Sequence, residues 1–430
     1  MSPGDPGPTL YPDPATRRRA IAGWCLFDFA NSAYTTLIPT VAFSVFFVDV
    51  VVHAADRRGD QLWGWANTLA MALAAVTSPW LGALADYSGR KKRMLMLVSL
   101  QTVAATALLA TVGPGTVTRG MLLYVLATLG FEWGYVFYNA FLPEISTPRT
   151  IGRISGWAWA VGYVGGLACL LLCYPWITSE LRAADGTLVA AAVGDRQLSF
   201  VLVAAFFLVF ALPAFLWLRE QPAAGRSRDY ARVAVRRVLD TLAHLRAHRQ
   251  AAKYVVASMC FNDGISTIIS FSAIYATGTF GFGSGEVAQL FLVLNIVAFP
   301  GAAAAGYLAD AIGSKRTLLL SLVLWLAVVV TGAAAHSRGA FWLMACGAAI
   351  GMGSTQAVGR SFMAQLSPPA RESEFFGFYV LSGKFGSIFG PLLYGTISRA
   401  SGSQRLAVLS LLPLFLAGLL LVWRVDDRQS

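Results

Sequence analysis

Charge is scarce in this sequence. Only 13% of its 430 residues are Asp, Glu, Lys or Arg, about half the share found in a soluble globular protein, which excludes an ordinary soluble enzyme. Histidine is scarcer still: His53, His244, His248 and His336 lie in loops, with no paired metal-binding arrangement in an apolar run. There is also no Gly-rich phosphate-cradling loop of P-loop form. An enzyme is therefore not expected, and neither cofactor nor metal is called for. The five cysteines, Cys25, Cys169, Cys173, Cys260 and Cys346, sit in apolar runs without ligand spacing, the pattern of small core residues rather than a disulfide framework. Lysine is rare too, with five against 28 arginines. Together with abundant alanine this reads as high-GC bacterial coding.

What the chain does have is apolar length: 56% of its residues are hydrophobic. Each helix crossing about 30 Å of hydrocarbon needs about 20 apolar residues. Twelve such runs are present, at 22–51, 62–84, 94–112, 120–142, 154–177, 198–218, 254–280, 287–309, 317–335, 341–366, 375–398 and 406–423. Long runs without short alternating strands mean helices and exclude an outer-membrane barrel, because backbone groups in lipid must pair internally. The expected fold is an all-α membrane protein of twelve transmembrane helices. Its parts are a tail at 1–21, a six-helix bundle at 22–218, a basic linker at 219–253, a second six-helix bundle at 254–424 and a tail at 425–430. The first run is long enough to be retained and to double as the insertion signal.

The net charge of +11 raises the question of nucleic acid, and its distribution answers it. With the N-terminus inside, segments on the inner side carry 23 of the 33 basic residues and the outer side eight. That excess predicts both termini cytoplasmic, in a bacterial inner membrane, and leaves no reason to expect nucleic acid. Two basic residues remain, Arg360 and Lys384, and both fall inside predicted spans. In the linker, Val235, Val238, Leu242 and Leu245 lie opposite Arg232, Arg236, Arg237 and Arg246, which predicts a surface helix. It serves either as a tether or as a site for anionic lipid or a regulator.

The chain also repeats. Gly82-Ala-Leu-Ala-Asp86-Tyr-Ser-Gly89-Arg-Lys91-Lys-Arg-Met-Leu95 returns 224 residues later as Gly306-Tyr-Leu-Ala-Asp310-Ala-Ile-Gly313-Ser-Lys315-Arg-Thr-Leu-Leu319, identical at seven of fourteen positions. At an offset of 221, Ser146, Pro148, Gly156, Gly162 and Gly165 match Ser367, Pro369, Gly377, Gly383 and Gly386. An even number of spans separates the copies, so the halves are parallel, as in one large class of transporters.

This paired Gly-x-Leu-Ala-Asp-x-x-Gly loop with basic residues after it resembles the signature loop of the major facilitator superfamily. Phe27–Tyr34, Phe137–Glu144, Gln356–Ser361, Glu374–Tyr379, Gly383-Lys384-Phe385 and Gly390-Pro391 resemble one branch within it, the autophagy-related vacuolar amino-acid exporter family. Gly359 departs from that pattern, which usually has Ser before the arginine. The resemblance implies two parallel six-helix bundles that rock about a central cavity opening alternately to each side, with spans one, four, seven and ten lining the cavity. It also implies a secondary transporter, since the fungal relatives are implicated in moving amino acids out of the vacuole.

Each of those four spans carries an ionisable residue that membrane insertion does not explain, and Lys384 in span eleven is a fifth. Asp28 and Asn31 share a face in span one, as Glu132 and Asn139 do in span four; span seven holds Asp263, and span ten holds Gln356 and Arg360. Asp28 and Arg360 lie about 9 Å from the inner ends of their spans, and Asp263 and Lys384 about 15 Å, near the midplane. The expected solute contacts are Asp28, Asn31, Asn139, Asp263, Gln356, Arg360 and Lys384, which suit a zwitterion such as an amino acid. Asp28 and Arg360 could also pair with each other. Glu132 is the first candidate for proton coupling, with Asp263 second, because a membrane carboxylate without a fixed partner binds a proton near neutrality. Asp86, Arg90, Asp310 and Lys315, with Glu144 and Glu374 as partners, are expected to gate the inner side through salt bridges. The alternative for all of these is interhelical bonding that merely holds the bundle together. The expected partners are a small-molecule solute, membrane lipid and protons, with the chain as a monomer. A lysolipid, drug or peptide transporter, or a sensor on the same fold, stays open.

Overall fold

The computed structural model describes residues 10–11, 13–52, 58–179, 187, 189–220, 236, 238–240, 248–282, 284–385 and 389–426. Among these the chain is helical throughout. The long helices are α1 (Pro14–Leu37), α2 (Arg58–Ser88), α3 (Lys91–Leu108), α4 (Val117–Asn139), α5 (Ile151–Ile177) and α6 (Ala190–Trp217). They continue as α7 (Arg249–Phe280), α8 (Ser284–Ile312), α9 (Ser314–Ala334) and α10 (Arg338–Leu366). The last quarter holds α11 (Glu372–Phe385), α12 (Phe389–Ser401), α13 (Gln404–Leu409) and α14 (Leu412–Trp423).

Eleven runs among the described residues are long and apolar enough to cross a membrane. The eleventh run of the sequence is represented by α11 and α12, each shorter than a span, and residues 386–388 between them lie outside the described set. Most of the expected linker helix, including Arg232, Val235, Arg237, Leu242, Leu245 and Arg246, is likewise outside it.

Local chemistry explains the helix ends. Asp13 caps α1 by accepting from the Thr16 N–H at 2.7 Å, with Pro14 filling the first position, where its missing N–H costs nothing. Hydrogen bonds from Thr16 hold the Asp13 carboxyl below its ordinary value. Beyond Leu37 the first span continues through widened turns at Ile38–Ala42 and Phe47–Val52, the first containing Pro39, which cannot donate to the ladder. The two repeat glycines end α2 and α8 with φ of +62° at Gly89 and +97° at Gly313. A side chain at either would be strained, so the second Gly of each motif is a backbone requirement.

The contacts divide the chain into two compact units. One comprises Met1–Thr77, Ser88–Tyr138 and Val161–Arg226; the other comprises Ser78–Tyr87, Asn139–Ala160 and Ser227–Ser430. Two segments of the N-terminal half, 78–87 and 139–160, thus pack with the second unit. The first unit is cored by Trp24 and Phe27 stacked on Tyr138 at 4.6 and 5.0 Å. The Trp24 indole N–H donates to the Tyr138 carbonyl at 2.9 Å, which supplies the partner a buried indole needs. The second unit is cored by Trp325 against Phe415 at 5.4 Å and Tyr254 against Phe362 at 4.9 Å. Large apolar side chains also face outward, Leu343 at 77% and Leu216 at 71% exposure. Hydrocarbon tolerates such a surface and water does not.

Candidate functional site

In the first unit the polar candidates lie on α1 and α4. Asp28, Asn31 and Glu132 are all buried. Helix α5 presses onto α1 so closely that a Cβ at Gly165 would stand 2.2 Å from the Phe29 carbonyl and one at Gly162 2.9 Å from the Ser32 hydroxyl. Those glycines bring the Asp28 carboxyl against the α5 backbone, 3.6 Å from the same Gly162 position. Along α4, Thr128 shares a 2.8 Å hydrogen bond with the Tyr34 hydroxyl, one turn before Glu132. The Tyr124 hydroxyl donates to Asn67 at 2.9 Å. Glu132 thus sits on a polar strip of an otherwise apolar helix.

The second unit holds Asp263 and Arg360. Arg360 is fully buried. Its Nε donates to the Ser155 hydroxyl at 2.9 Å, its Nη2 to the Ser155 carbonyl at 2.8 Å and its Nη1 to Asn139 Oδ1 at a marginal 3.4 Å. The guanidinium carbon lies 5.5 Å over the Trp159 ring, within cation–π range. Ser155 in turn donates to the Ala357 carbonyl at 2.6 Å. Arg360 thus fastens α10 to the segment that opens α5. Ser155 was not expected here from the sequence, because no local pattern ties a serine to an arginine 205 positions away. Gly359 leaves room beside it: a Cβ would meet the hydroxyls of Tyr254 and Tyr379 at 3.0 Å each.

Asp263 on α7 is buried, and its Oδ2 accepts from the Gly390 N–H at 2.8 Å, at the start of α12. Gly390 is required there, since a Cβ would lie 2.1 Å from the Thr267 hydroxyl and 3.0 Å from Asp263 Oδ1. The other oxygen, Oδ1, is buried without a hydrogen-bond partner among the described residues, as is the amide nitrogen Nδ2 of Asn139. An acceptor and a donor of this kind therefore stand in the same unit, and such buried atoms are commonly satisfied by ordered water or a bound group. The Ser373 and Tyr394 hydroxyls belong to the same set. Gln356 and Lys384 are half-buried on α10 and α11.

The two repeat loops make one arrangement twice. Asp86 accepts through Oδ1 from the Ser373 N–H at 3.1 Å and through Oδ2 from the Glu374 N–H at 2.9 Å, the second and third residues of α11. Asp310 accepts through Oδ1 from the Gly152 N–H at 2.7 Å and through Oδ2 from the Arg153 N–H at 3.2 Å, the second and third residues of α5. Each acid thus caps a helix that begins elsewhere in the sequence, satisfying two of the N–H groups its first turn leaves open. Glycines allow the approach. A Cβ at Gly82 would fall 2.1 Å from the Ser373 carbonyl, and one at Gly306 2.7 Å from the Gly152 carbonyl.

The expected gating residues are distributed unevenly about these caps. Glu374 meets Asp86 through its backbone N–H rather than as a carboxylate. Asp310 forms its ion pair with Arg153, Nε to Oδ2 at 3.3 Å, whereas Lys315 lines a cleft beside Trp423 and Asp426. Arg90 is exposed at the start of α3, and Glu144 is half-buried.

Comparison with known proteins adds an independent line. Residues 64–430 match the family described as "Vacuole effluxer Atg22 like". The uncharacterised MFS-type transporter YxiO of Bacillus subtilis (strain 168) is 29% identical over 409 residues, 95% of each chain. Autophagy-related protein 22-1 of Penicillium rubens is 21% identical over 449 residues, covering 84% of this chain and 74% of the relative. Among solved structures, the Escherichia coli fucose:proton symporter FucP aligns with a TM-score of 0.71 at 14% identity, over 97% of this chain and all of FucP. The proton:xylose symporter XylE aligns with a TM-score of 0.69 at 12% identity, over 95% of each chain.

Proposed function

The chain belongs to the Atg22-like vacuole effluxer family and is an MFS-type multi-pass membrane transporter; from that premise we propose that it moves a small zwitterionic solute, an amino acid or a close analogue, by proton-coupled alternating access. The observation that carries this reading is the pair of unfilled buried groups in the second unit, Asp263 Oδ1 and Asn139 Nδ2. A zwitterion supplies what both lack: an ammonium for the carboxylate and a carboxylate for the amide N–H.

Asp263 also supports coupling. A carboxylate that takes a proton cannot at the same time hold an ammonium, so proton and solute compete for one oxygen, the basis of exchange. Glu132 is proposed as a second proton acceptor, in the first unit. Asp28 and Asn31 offer a further polar face there, and Gln356 and Lys384 one in the second unit. Arg360 donates to Ser155 and Asn139, so its role as a solute anchor requires those bonds to open during the cycle. The Asp86 and Asp310 caps are proposed to set the balance between transport states without touching solute, with Arg90, Glu144, Lys315 and Glu374 modulating them. Both termini are proposed to be cytoplasmic, in a bacterial inner membrane, with the chain acting as a monomer; cysteine-accessibility labelling of the two tails tests the orientation.

The decisive experiment is uptake of labelled amino acids into proteoliposomes under an imposed pH gradient. Wild type is expected to accumulate solute, and Asp263→Asn and Glu132→Gln to lose the pH-driven part. Accumulation unchanged in both variants would remove these carboxylates from coupling. Saturable binding without flux would instead favour a sensor.

A further inference from the structure

A cleft of about 530 Å³ opens where the start of α9 meets the end of α14, lined by Lys315, Arg316, Leu319, Trp423, Arg424, Val425 and Asp426. Three cations face one acid, so the cleft is net positive. Lys253 donates its Nζ to the Arg424 carbonyl at 3.2 Å, filling the acceptor at the end of α14 and adding a fourth cation close by. The cleft lies at the ends of two apolar spans, Ser314–Ala334 and Gln404–Trp423, and therefore at the level where hydrocarbon gives way to headgroups. Trp423 is 65% exposed on its wall, and an exposed indole at the end of a span belongs to the interfacial zone. Leu319 lines the cleft further along the same apolar span.

We propose that this cleft seats the headgroup of an anionic phospholipid such as phosphatidylglycerol, its phosphate held by Lys315, Arg316 and Arg424 and its upper acyl chain lying along Leu319 and Trp423. Basic pockets between transmembrane helices recognise lipid phosphates by this chemistry, and charge with adjoining apolar wall is what separates a lipid from a free phosphate as occupant. Because Lys315 lies in the repeat loop that carries Asp310, an occupied cleft would bear directly on that loop. The inference concerns a surface apart from Asp263 and Asn139 and stands whether or not the solute assignment holds.

Native mass spectrometry of the delipidated protein, titrated with phosphatidylglycerol or phosphatidylcholine, tests it. The expected result is retention of phosphatidylglycerol over phosphatidylcholine, with affinity falling roughly tenfold or more in the Arg316→Gln/Arg424→Gln variant. Trp423→Ala is expected to weaken phosphatidylglycerol and leave glycerol 1-phosphate unaffected. Equal retention of the two lipids by wild type would overturn the proposal, as would unchanged affinity in the double variant. Glycerol 1-phosphate binding as tightly as the intact lipid would reassign the cleft to a soluble phosphate. Melting temperatures in lipid-free detergent establish that the variants fold, and the wild-type lipid comparison decides the matter if they do not.

Discussion

The caps at Asp86 and Asp310 are copies of one device with different electrical surroundings. Both acids engage the second and third N–H groups of a distant helix, and both depend on a glycine contact one turn earlier. At Asp310 the capped helix brings its own counter-charge, Arg153. At Asp86 the capped helix brings acids instead, Glu372 and Glu374 in its first turn. Those acids favour the positive end of the helix dipole that Asp86 also uses, so three carboxylates share one helix start. A repeated motif preserves the backbone geometry, while the side chains of the capped helix set how firmly each copy holds.

Removing either cap breaks the comparison most severely. Asp86→Ala and Asp310→Ala each delete two charge-assisted hydrogen bonds, about 3–6 kcal/mol together, and should slow transport far more than they weaken solute binding. Turnover in proteoliposomes alongside equilibrium binding checks this; unchanged turnover in both variants would end the gating assignment. Next come the glycines. Gly82→Ala meets the Ser373 carbonyl at 2.1 Å and Gly306→Ala the Gly152 carbonyl at 2.7 Å, so overpacking of about 1–3 kcal/mol should be greater at Gly82. Equal melting temperatures for the two would contradict that ranking.

Smaller effects sharpen the electrical difference. Arg153 is 46% exposed beside Asp310, so Arg153→Gln should cost no more than about 1 kcal/mol, and less at high salt. A loss that ignores ionic strength would argue for packing rather than charge. The smallest effect belongs to the Asp86 side. His248 rests edge-on against Phe375 at 5.2 Å, and burial, reinforced by Arg371, keeps its imidazole below the ordinary value. Above pH of about 6.5 it is neutral in both folded and unfolded chains. On acidification the unfolded chain takes the proton first, so folded stability declines. His248→Gln should flatten that decline in a thermal-shift series, and an unaltered slope would assign it to other groups.

Much of this was legible residue by residue. The twelve apolar runs anticipate the helices, and Gly89 and Gly313 stand where the chain needs positive φ. The acids of the repeat were readable as special because lipid-facing helices rarely carry them. Their partners were not: nothing near Asp86 names Ser373, and nothing near Arg360 names Ser155. Gly390 was legible as part of a family motif, and its N–H is the donor to Asp263. Lys315 was grouped with Asp310 by proximity in sequence, yet the ion pair within hydrogen-bonding reach is with Arg153.

The linear chain by itself determined the membrane class, the helical spans, their parallel repeat and the small set of ionisable residues that insertion leaves unexplained. These follow from local rules, because bilayer thickness and backbone hydrogen bonding act on each run of about 20 residues separately. Only the tertiary structure decided which helix start each aspartate caps, what encloses Arg360 and which buried atoms stay unfilled. Those depend on how closely helices more than 100 residues apart approach, and that distance is set by small residues on two surfaces at once.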